Sequence, residues 1–311
     1  MNLTVAIVGS GLIGQGWALV FGRAGCNVQM WDGNPQALPD AMTAMRSLAV
    51  ELKRYALIDD MDALFSRLKP CGSLREALKG ADYVQENLPE TLAIKQQIFQ
   101  EMDGLASPEV VLASSTSSIP TSAFTEQLAG RARCLVAHPV NPPYLIPAVE
   151  ISGASWTAGT SVERTASIMR SIGQKPVIVK KEIEGFILNR LQGAVLREAF
   201  RLVEQGYVDP DDLDTTIRDG LGLRWSFMGP FETIDLNAPE GLADYCARYG
   251  ELYRRIAQAQ TSTDPWSADL VNHLHQDRRE RVPLEDVSKR RIWRDRRLMA
   301  LAVHKKQMES L

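Results

Sequence analysis

The chain lacks the features that direct a protein to a membrane, to nucleic acid or into a disulfide-rich fold. No apolar run in its sequence approaches the roughly 18 residues that a membrane span needs, so we expect no membrane partner. The net charge is −3, and we expect no nucleic-acid partner because such partners select basic surfaces. The four cysteines are scattered without a CxxC pair, which predicts a reducing, cytoplasmic location and no metal site.

Short apolar runs alternate with helix-like segments through the first half of the chain, which predicts parallel strands with crossover helices. The first run leads straight into a glycine-rich loop without a basic leader, which favours a strand over a signal peptide. The stretch 35–68 has apolar residues at helical spacing and predicts a helical pair inserted between the second and third strands. The predicted strands are residues 5–8, 28–31, 83–85, 110–113, 134–137 and 177–179.

The second half of the chain has a helical character. Residues 186–205 carry an apolar stripe at helical spacing, and Gly206 can end that helix. Further helices are expected after Asp209 and Gly229. The mixture of basic and apolar residues in 289–306 predicts a basic amphipathic helix. The sequence therefore predicts an α/β fold, with a Rossmann-like doubly wound sheet and inserted helical pair in residues 1–184 and an all-helical domain in residues 185–311.

A glycine-rich loop follows the first predicted strand and opens a helix, as a dinucleotide site requires. Asp32 ends the second strand, where a carboxylate accepts hydrogen bonds from the adenosine ribose. Residues 33–36 contain no arginine or lysine to receive a 2′-phosphate, so NAD is favoured over NADP as the cofactor. The predicted cofactor-binding residues of this region are Gly9, Gly11, Leu12, Ile13, Gly14 and Asp32.

His138 and Glu150 form a candidate catalytic pair twelve residues apart. Oxidising a secondary alcohol requires a base for the hydroxyl proton, and an imidazole titrates close to neutral pH. A carboxylate on the other ring nitrogen fixes the tautomer and stabilises the imidazolium. The pair predicts a dehydrogenase with His138 as general base. Taken alone, a histidine beside prolines is more often structural, and Glu150 could be a surface strand carboxylate.

Several segments in the right order resemble the 3-hydroxyacyl-CoA dehydrogenase superfamily over nearly the whole chain. They are Ser114-Ser-Thr-Ser117-Ser118, His138-Pro-Val-Asn141-Pro142, Val149-Glu150, Gly185-Phe-Ile-Leu-Asn189-Arg190 and Met228-Gly-Pro-Phe-Glu232. The resemblance implies that Ser117 and Asn189 hold the substrate oxygen as part of the catalytic set. It also implies that Asn141 lies beside the nicotinamide, that Glu90 and Lys95 lie near the cofactor ribose, and that the helical domain binds substrate and forms a homodimer.

Each of these residues has a plainer interpretation. Ser117 could cap a turn, and Asn189 could satisfy backbone donors at a helix start. Glu90 and Lys95, five apart, would ordinarily occupy a solvated helix face. Their occurrence together with the glycine loop and the histidine favours the functional interpretation.

The expected class of substrate depends on Arg224. A guanidinium fork binds a carboxylate through two parallel hydrogen bonds, so an arginine here favours a free acid over a neutral thioester. The segments His138-Pro-Val-Asn-Pro-Pro-Tyr144 and Gly222-Leu-Arg224-Trp225 are most similar to the lambda-crystallin branch of the superfamily, the L-gulonate 3-dehydrogenases. We therefore expect oxidation of L-gulonate to 3-dehydro-L-gulonate. A surface or capping arginine is the plainer alternative.

Three alternatives stay open at this point. L-carnitine dehydrogenase shares the Gly-Leu-Arg-Trp segment, and Trp225, Tyr144 and Phe227 could cradle its quaternary ammonium. A 3-hydroxyacyl-CoA substrate such as 3-hydroxybutyryl-CoA is favoured by Lys53 and Arg54 in the inserted pair, where the acyl-CoA enzymes contact the nucleotide part of their substrate. A structural, crystallin-like protein is the non-enzyme alternative, although it would not need the full catalytic set.

Overall fold

A computed structural model describes residues 3–308. The chain divides into two compact units, one within Met1–Arg190 and Arg294–Leu311 and the other Leu191–Trp293. The predicted fold class is confirmed: the first unit is built on a mostly parallel sheet and the second is helical. The predicted domain boundary after residue 184 stays a prediction.

Eight strands form a single sheet in the first unit. They are β1 (Thr4–Val8), β2 (Asn27–Trp31), β3 (Leu68–Pro70), β4 (Tyr83–Glu86), β5 (Val111–Ser114), β6 (Cys134–Pro139), β7 (Ala148–Ser152) and β8 (Lys175–Val179). Their order is β3-β2-β1-β4-β5-β6-β7-β8, and only the β6–β7 pair is antiparallel. The strand order reverses between β1 and β4, the kind of switch point at which open α/β sheets bind their ligands.

Helices cover both faces of this sheet. Alternate residues of β1 belong to different cores: Val5 and Ile7 pack in one cluster, Ala6 and Val8 in the other. That alternation follows from the two-residue period of a strand and makes the sheet doubly wound. The helices are α1 (Leu12–Arg23), α2 (Ala37–Arg54), α3 (Met61–Phe65), α4 (Leu74–Leu78), α5 (Leu92–Leu105), α6 (Thr121–Thr125) and α7 (Gly159–Ser171). The predicted inserted pair corresponds to α2 and α3.

Two strands were not among those predicted. β3 has three residues, of which Lys69 and Pro70 are exposed, so it carries no apolar run. β7 buries the charged Glu150 at its centre, which interrupts its apolar pattern. The pairing of these strands with their neighbours depends on distant parts of the chain, which local hydropathy does not report.

All regular secondary structure of the second unit is helical. Its first helix begins within the residues of the first unit, and its last helix ends within them. The helices are α8 (Leu188–Glu204), α9 (Pro210–Thr215), α10 (Gly222–Trp225), α11 (Pro230–Asp235), α12 (Leu242–Ala259), α13 (Ala268–Arg281) and α14 (Val287–Met308). Gly206 has a φ of +71° just beyond α8, as its predicted role in ending that helix requires. Between residues 3 and 308, no helix is both long and apolar enough to cross a membrane.

Candidate active site

The residues predicted to form the site within the first unit gather at one edge of the sheet. Gly9 follows β1, Asp32 follows β2, Glu90 follows β4 and Ser117 follows β5, while His138 lies near the end of β6. These five strands are parallel, so their carboxyl ends share one edge. The fold therefore brings the predicted cofactor and catalytic residues of this unit to the position where open α/β sheets bind ligands.

The glycine loop is built for close approach of a ligand to backbone. Gly9 has a φ of +95°, and a Cβ at Gly14 would lie 1.9 Å from the Gly9 carbonyl oxygen. A Cβ at Gly11 would meet no protein atom within 4 Å, so that position faces open space. No side chain caps the N-terminus of α1, where Leu12 and Ile13 begin the helix. The uncapped N–H groups and the positive end of the helix dipole fit a pyrophosphate.

Asp32 is held in place by three hydrogen bonds. Its Oδ2 accepts hydrogen bonds from the Ser10 amide at 2.7 Å and the Ser10 hydroxyl at 2.8 Å, and its Oδ1 accepts one from the Asn34 amide at 2.9 Å. A carboxylate has about four acceptor positions, so capacity remains for a ribose hydroxyl. These residues fit the adenosine half of NAD.

Glu90 fastens the turn that contains Ser117. One carboxylate oxygen, Oε1, accepts four hydrogen bonds: from the Thr116 hydroxyl at 2.6 Å, the Ser117 amide at 3.0 Å, and the Ser118 amide and hydroxyl at 2.9 Å each. Burial raises the pKa of Glu90, but these hydrogen bonds and the Lys95 charge outweigh it and hold the pKa below its usual value. Glu90 is therefore a charged anchor for this turn.

Lys95 is buried rather than solvated, with only 1% of its side chain exposed. Its ammonium donates to Glu86 Oε1 and Oε2 at 2.9 and 3.0 Å and to the Leu88 carbonyl at 3.0 Å. Burial raises the pKa of Glu86, and the Lys95 charge only partly offsets that effect. All three donors of Lys95 are occupied, so a direct contact with the cofactor ribose stays a prediction and requires one bond to open.

His138 and Glu150 lie directly opposite each other on the antiparallel strands β6 and β7. Both residues are buried, and His138 Nδ1 lies 2.9 Å from Glu150 Oε2. An ionised carboxylate only accepts hydrogen bonds, so Nδ1 carries the proton and Nε2 keeps a free lone pair. The sequence separation of twelve residues reflects a turn that folds β7 back onto β6.

The second oxygen of Glu150 is bound by the start of α8. Oε1 accepts hydrogen bonds from the Ile187 amide at 2.7 Å and the Leu188 amide at 2.9 Å. Burial raises the pKa of Glu150, but the hydrogen bonds from His138, Leu188 and Ile187 outweigh it, and the pKa lies below its usual value. Glu150 is thus ionised at neutral pH and fixed at both oxygens.

Phe186 was missed by the sequence interpretation. Its φ is +50°, a strained value for a bulky residue, and it follows Gly185 at +76°. This left-handed pair turns the chain so that the next two amides point at Glu150. The buried Phe186 ring also lies 5.5 Å from the His138 ring, centre to centre. The Gly-Phe pair at the start of the Asn189 segment was the only available signal.

Ser117 and Asn189 are brought together by the fold. The side-chain amide of Asn189 donates to the Ser117 backbone carbonyl at 2.6 Å, while the Ser117 residue is exposed. Asn189 thus holds the same turn that Glu90 fastens. Contacts of Ser117, Asn189 and Asn141 with ligands stay predictions.

The sequence also did not predict a buried polar network near the carboxyl ends of β4, β5 and β6. Ser115 Oγ donates to Asn87 Oδ1 at 2.7 Å, and it accepts hydrogen bonds from Gln85 Nε2 at 2.7 Å and Trp17 Nε1 at 3.0 Å. Gln85 also donates to the Ala137 carbonyl, one residue before His138. The sequence signal for this network was the occurrence of single polar residues in or next to apolar strands. The network ties β4, β5 and β6 together just below the site.

Arg224 lies on α10 in the second unit and is exposed. A hydrogen bond with Tyr253 raises the pKa of Tyr245, and the nearby positive charge of Arg224 opposes that rise. The rings of Tyr245 and Tyr249 are 4.6 Å apart, centre to centre. Tyr245 and Tyr249 thus belong to an aromatic cluster on α12, and the charge of Arg224 acts on it. By contrast, Tyr144 is buried and hydrogen-bonded to Asp295, so its ring is not free to cradle an ammonium group.

No group of three or more histidine, cysteine or acidic side chains within residues 3–308 is arranged to hold a metal ion.

The fold and the site edge together define the class of the protein, an NAD-dependent oxidoreductase that acts on a CH–OH group. The chain belongs to the 3-hydroxyacyl-CoA dehydrogenase family: residues 4–183 match its NAD binding domain and residues 185–280 its C-terminal domain.

Relatives cover nearly all of the chain. It is 45% identical over 310 residues to the lambda-crystallin homolog of Bos taurus, covering 98% of this chain and 96% of the relative. It is 35% identical to L-carnitine dehydrogenase of Pseudomonas putida, covering 89% and 87%. A solved structure of 5-formyl-3-hydroxy-2-methylpyridine 4-carboxylic acid 5-dehydrogenase, an NAD+ dependent dismutase, superimposes with a TM-score of 0.80 at 29% identity, covering 99% of both chains.

Proposed function

We propose that this enzyme oxidises the 3-hydroxyl of a small free 3-hydroxy acid, and that the acid is L-gulonate, giving 3-dehydro-L-gulonate. The observation that carries the proposal is the buried contact between His138 and Glu150, which leaves one imidazole nitrogen free to take a proton. The glycine loop and Asp32 would hold NAD, which would supply the hydride acceptor for this oxidation.

His138 removes the hydroxyl proton through Nε2, because Nδ1 is engaged by Glu150. The ring becomes positively charged, and the ionised carboxylate beside it stabilises that charge. The lowered pKa of Glu150 keeps the carboxylate ionised at neutral pH. The two amides on its other oxygen prevent it from rotating away from the ring.

Ser117 and Asn189 are proposed to bind the substrate oxygen. The exposed Ser117 hydroxyl lies on a turn held by Glu90 on one side and by Asn189 on the other. A turn fastened at both sides keeps its hydrogen-bond donors in position before substrate arrives, which is what preorganised stabilisation of a developing oxyanion needs.

Arg224 is proposed to bind the substrate carboxylate. An exposed guanidinium offers a planar fork of donors that matches a carboxylate. Two relatives are named for substrates that contain a free carboxylate, carnitine and a pyridine carboxylic acid, which supports a free acid here. Lys53 and Arg54 are exposed at the end of α2, as expected for a solvated helix face.

L-carnitine is the second candidate, favoured by a specific observation. Tyr245, Tyr249 and Tyr253 lie at four-residue spacing along α12, and the positive charge of Arg224 opposes the rise in the pKa of Tyr245. Tyrosine faces bind quaternary ammonium groups, and an adjacent guanidinium would take the carboxylate of the same molecule.

The test is NAD reduction with L-gulonate, L-carnitine, 3-hydroxybutyrate and 3-hydroxybutyryl-CoA, compared by kcat/KM. We expect L-gulonate to have the highest value. A highest value for L-carnitine would replace the first candidate with the second. Turnover of the CoA thioester alone would reject a free-acid substrate. Absence of turnover on all four, together with no NADH binding, would favour a structural role.

We also propose that two copies of the chain associate through the second unit. Of Leu191–Trp293, only Thr233 and Leu270 are buried, so this unit has almost no core of its own. The amphipathic helices α8 and α12 expose apolar residues, among them Leu191 and Leu252. Exposed apolar residues on amphipathic helices are typical of an interface, and a second copy supplies the same helices by two-fold symmetry.

Sedimentation equilibrium tests this association. We expect the mass of two chains for the native protein and of one chain for Leu252→Asp. Leu92→Asp, an equally exposed leucine on α5, is the matched control and should remain a dimer. A monomeric native protein would reject the proposal.

The four cysteines are all free, which supports a reducing compartment and the cytoplasmic location that we propose.

A further inference from the structure

We propose that Asp295 on α14 is a positioning residue for the cofactor site, and that it acts through Tyr144 on the turn between β6 and β7. Asp295 touches neither of the catalytic pair. The inference rests on the predicted contact of Asn141 with the nicotinamide, because Asn141 lies in the turn that Tyr144 anchors.

The turn occupies residues 140–147 and joins the two strands of the catalytic pair. Tyr144 lies six residues after His138 and six before Glu150, at the middle of the hairpin. Asn141 is exposed, whereas Tyr144 is buried. A long connection of this kind has no regular structure of its own, so its conformation depends on what its buried residues contact.

One side of the turn is fastened to α1, the helix that begins at the glycine loop. Arg23 Nη1 donates to the Tyr144 carbonyl at 2.8 Å. Pro143 packs against the helix backbone at Gly16, where a Cβ would lie 2.6 Å from the Pro143 ring. A shift of the turn would therefore alter both Asn141 and the packing of the cofactor helix.

The other side is fastened to α14. The Tyr144 hydroxyl donates to Asp295 Oδ2 at 2.9 Å, while Arg294 donates to Asp295 Oδ1 at 2.8 Å. Asp295 is thus an oriented and charge-compensated acceptor with 16% of its side chain exposed. A hydrogen bond to an ionised acceptor in such surroundings is stronger than one between neutral groups. Burial and the Asp295 charge raise the pKa of Tyr144, so its hydroxyl remains a donor.

The segment Arg294–Met308 is anchored in the first unit independently of Asp295. Met299 is 1% exposed, and Arg296 forms two hydrogen bonds with Glu51 on α2, at 2.7 and 3.0 Å. The match to the family's C-terminal domain ends at residue 280, before this helix begins. The helix therefore supplies a fixed platform from which Asp295 holds Tyr144.

The test measures NADH binding by fluorescence titration in Asp295→Ala, Tyr144→Phe and the double variant. We expect each single variant to raise the Kd for NADH about three- to tenfold, less than the full contribution of one charge-assisted hydrogen bond, because the contact acts on the cofactor only through the turn. The double variant should be no weaker than the singles, because both remove the same contact. Arg296→Ala is the matched control: the buried Met299 still holds the helix in the first unit, so Asp295 keeps its place and the Kd should remain within about twofold.

Steady-state kinetics separates positioning from a general loss of structure. In Tyr144→Phe we expect KM for NAD to rise with the Kd, while kcat and its pH profile stay as in the native enzyme, because the strands that hold His138 and Glu150 are intact. An unchanged Kd in both single variants, or multiplied effects in the double variant, would overturn the inference. The titration needs no substrate, so its outcome is independent of which hydroxy acid the enzyme oxidises.

Discussion

His138 and Glu150 are cross-strand partners, with their side chains joined at 2.9 Å between Nδ1 and Oε2. Their relative position is fixed by the backbone register of β6 and β7 rather than by flexible loops. A slip of one residue in that register would turn Glu150 to the opposite face of the sheet. The sheet therefore holds the two side chains of the proposed catalytic pair opposite each other.

Replacement of Glu150 by Gln should destabilise the protein by about 2 kcal/mol at pH 7, because an amide cannot accept bonds at both positions. The pKa of Glu150 is lower in the folded state. Its stabilising contribution is therefore complete above the unfolded value of about 4.3 and is lost as the pH falls through the lower folded value.

Urea unfolding of the native protein and Glu150→Gln at several pH values measures this effect. The difference in the free energy of unfolding should be largest at neutral pH and should narrow below pH 4. A difference that is constant down to pH 3 would show that ionisation of Glu150 contributes nothing to folding.

Replacement of Glu90 by Ala should lower kcat/KM for the hydroxy acid by about ten- to a hundredfold, because four donors lose their common acceptor and the Ser117 turn loosens. Steady-state kinetics checks this. Glu101→Ala, an exposed glutamate on α5, is the control and should retain native kinetics. Native kinetics in Glu90→Ala would mean that the turn keeps its shape without the carboxylate.

Arg224→Ala should raise KM for the hydroxy acid at least tenfold, since a two-point contact with a carboxylate is lost. The Kd for NADH should not change. Arg254→Ala removes another exposed arginine of the second unit, one that is paired with Glu251, and serves as the control. Equal changes in KM and in NADH affinity would assign Arg224 to packing instead of substrate binding.

Asp32→Asn should raise KM for NAD about tenfold and reduce the preference for NAD over NADP. The carboxylate accepts ribose hydrogen bonds and repels a 2′-phosphate, and the amide does neither as well. Measuring kcat/KM with both cofactors checks this, with the exposed Asp40→Asn as control. An unchanged ratio would place cofactor discrimination at other residues.

The sequence was sufficient to predict the glycine loop and the inserted helices, because each depends on residue types at fixed local spacing. The contact between His138 and Glu150 depends instead on the register of two strands, and the role expected for the pair stays a prediction. The sequence was not sufficient for the burial of Lys95. That burial depends on Glu86, whose charge lies in a strand and is compensated only in the folded protein. The left-handed backbone at Phe186 was likewise hidden, since a bulky residue has no local preference for it.

The sequence was also not sufficient to predict what the helices of the second unit pack against. The helix at residues 186–205 was predicted from its apolar stripe, but a stripe indicates only that a face becomes buried and does not identify the partner. Arg224 is similar: its donors match a carboxylate, yet no local pattern distinguishes an anion-binding arginine from a solvated one.

The central claim is that His138, held by Glu150, removes the proton from a free 3-hydroxy acid. The most direct measurement is NADH formation from L-gulonate at saturating NAD by the native enzyme and by His138→Asn, with NADH affinity measured for both. The account predicts turnover by the native enzyme, a kcat lower by about 10² or more in His138→Asn, and equal affinity for NADH. Equal kcat values in the two proteins, or turnover by the native enzyme of a CoA thioester but of no free acid, would contradict it.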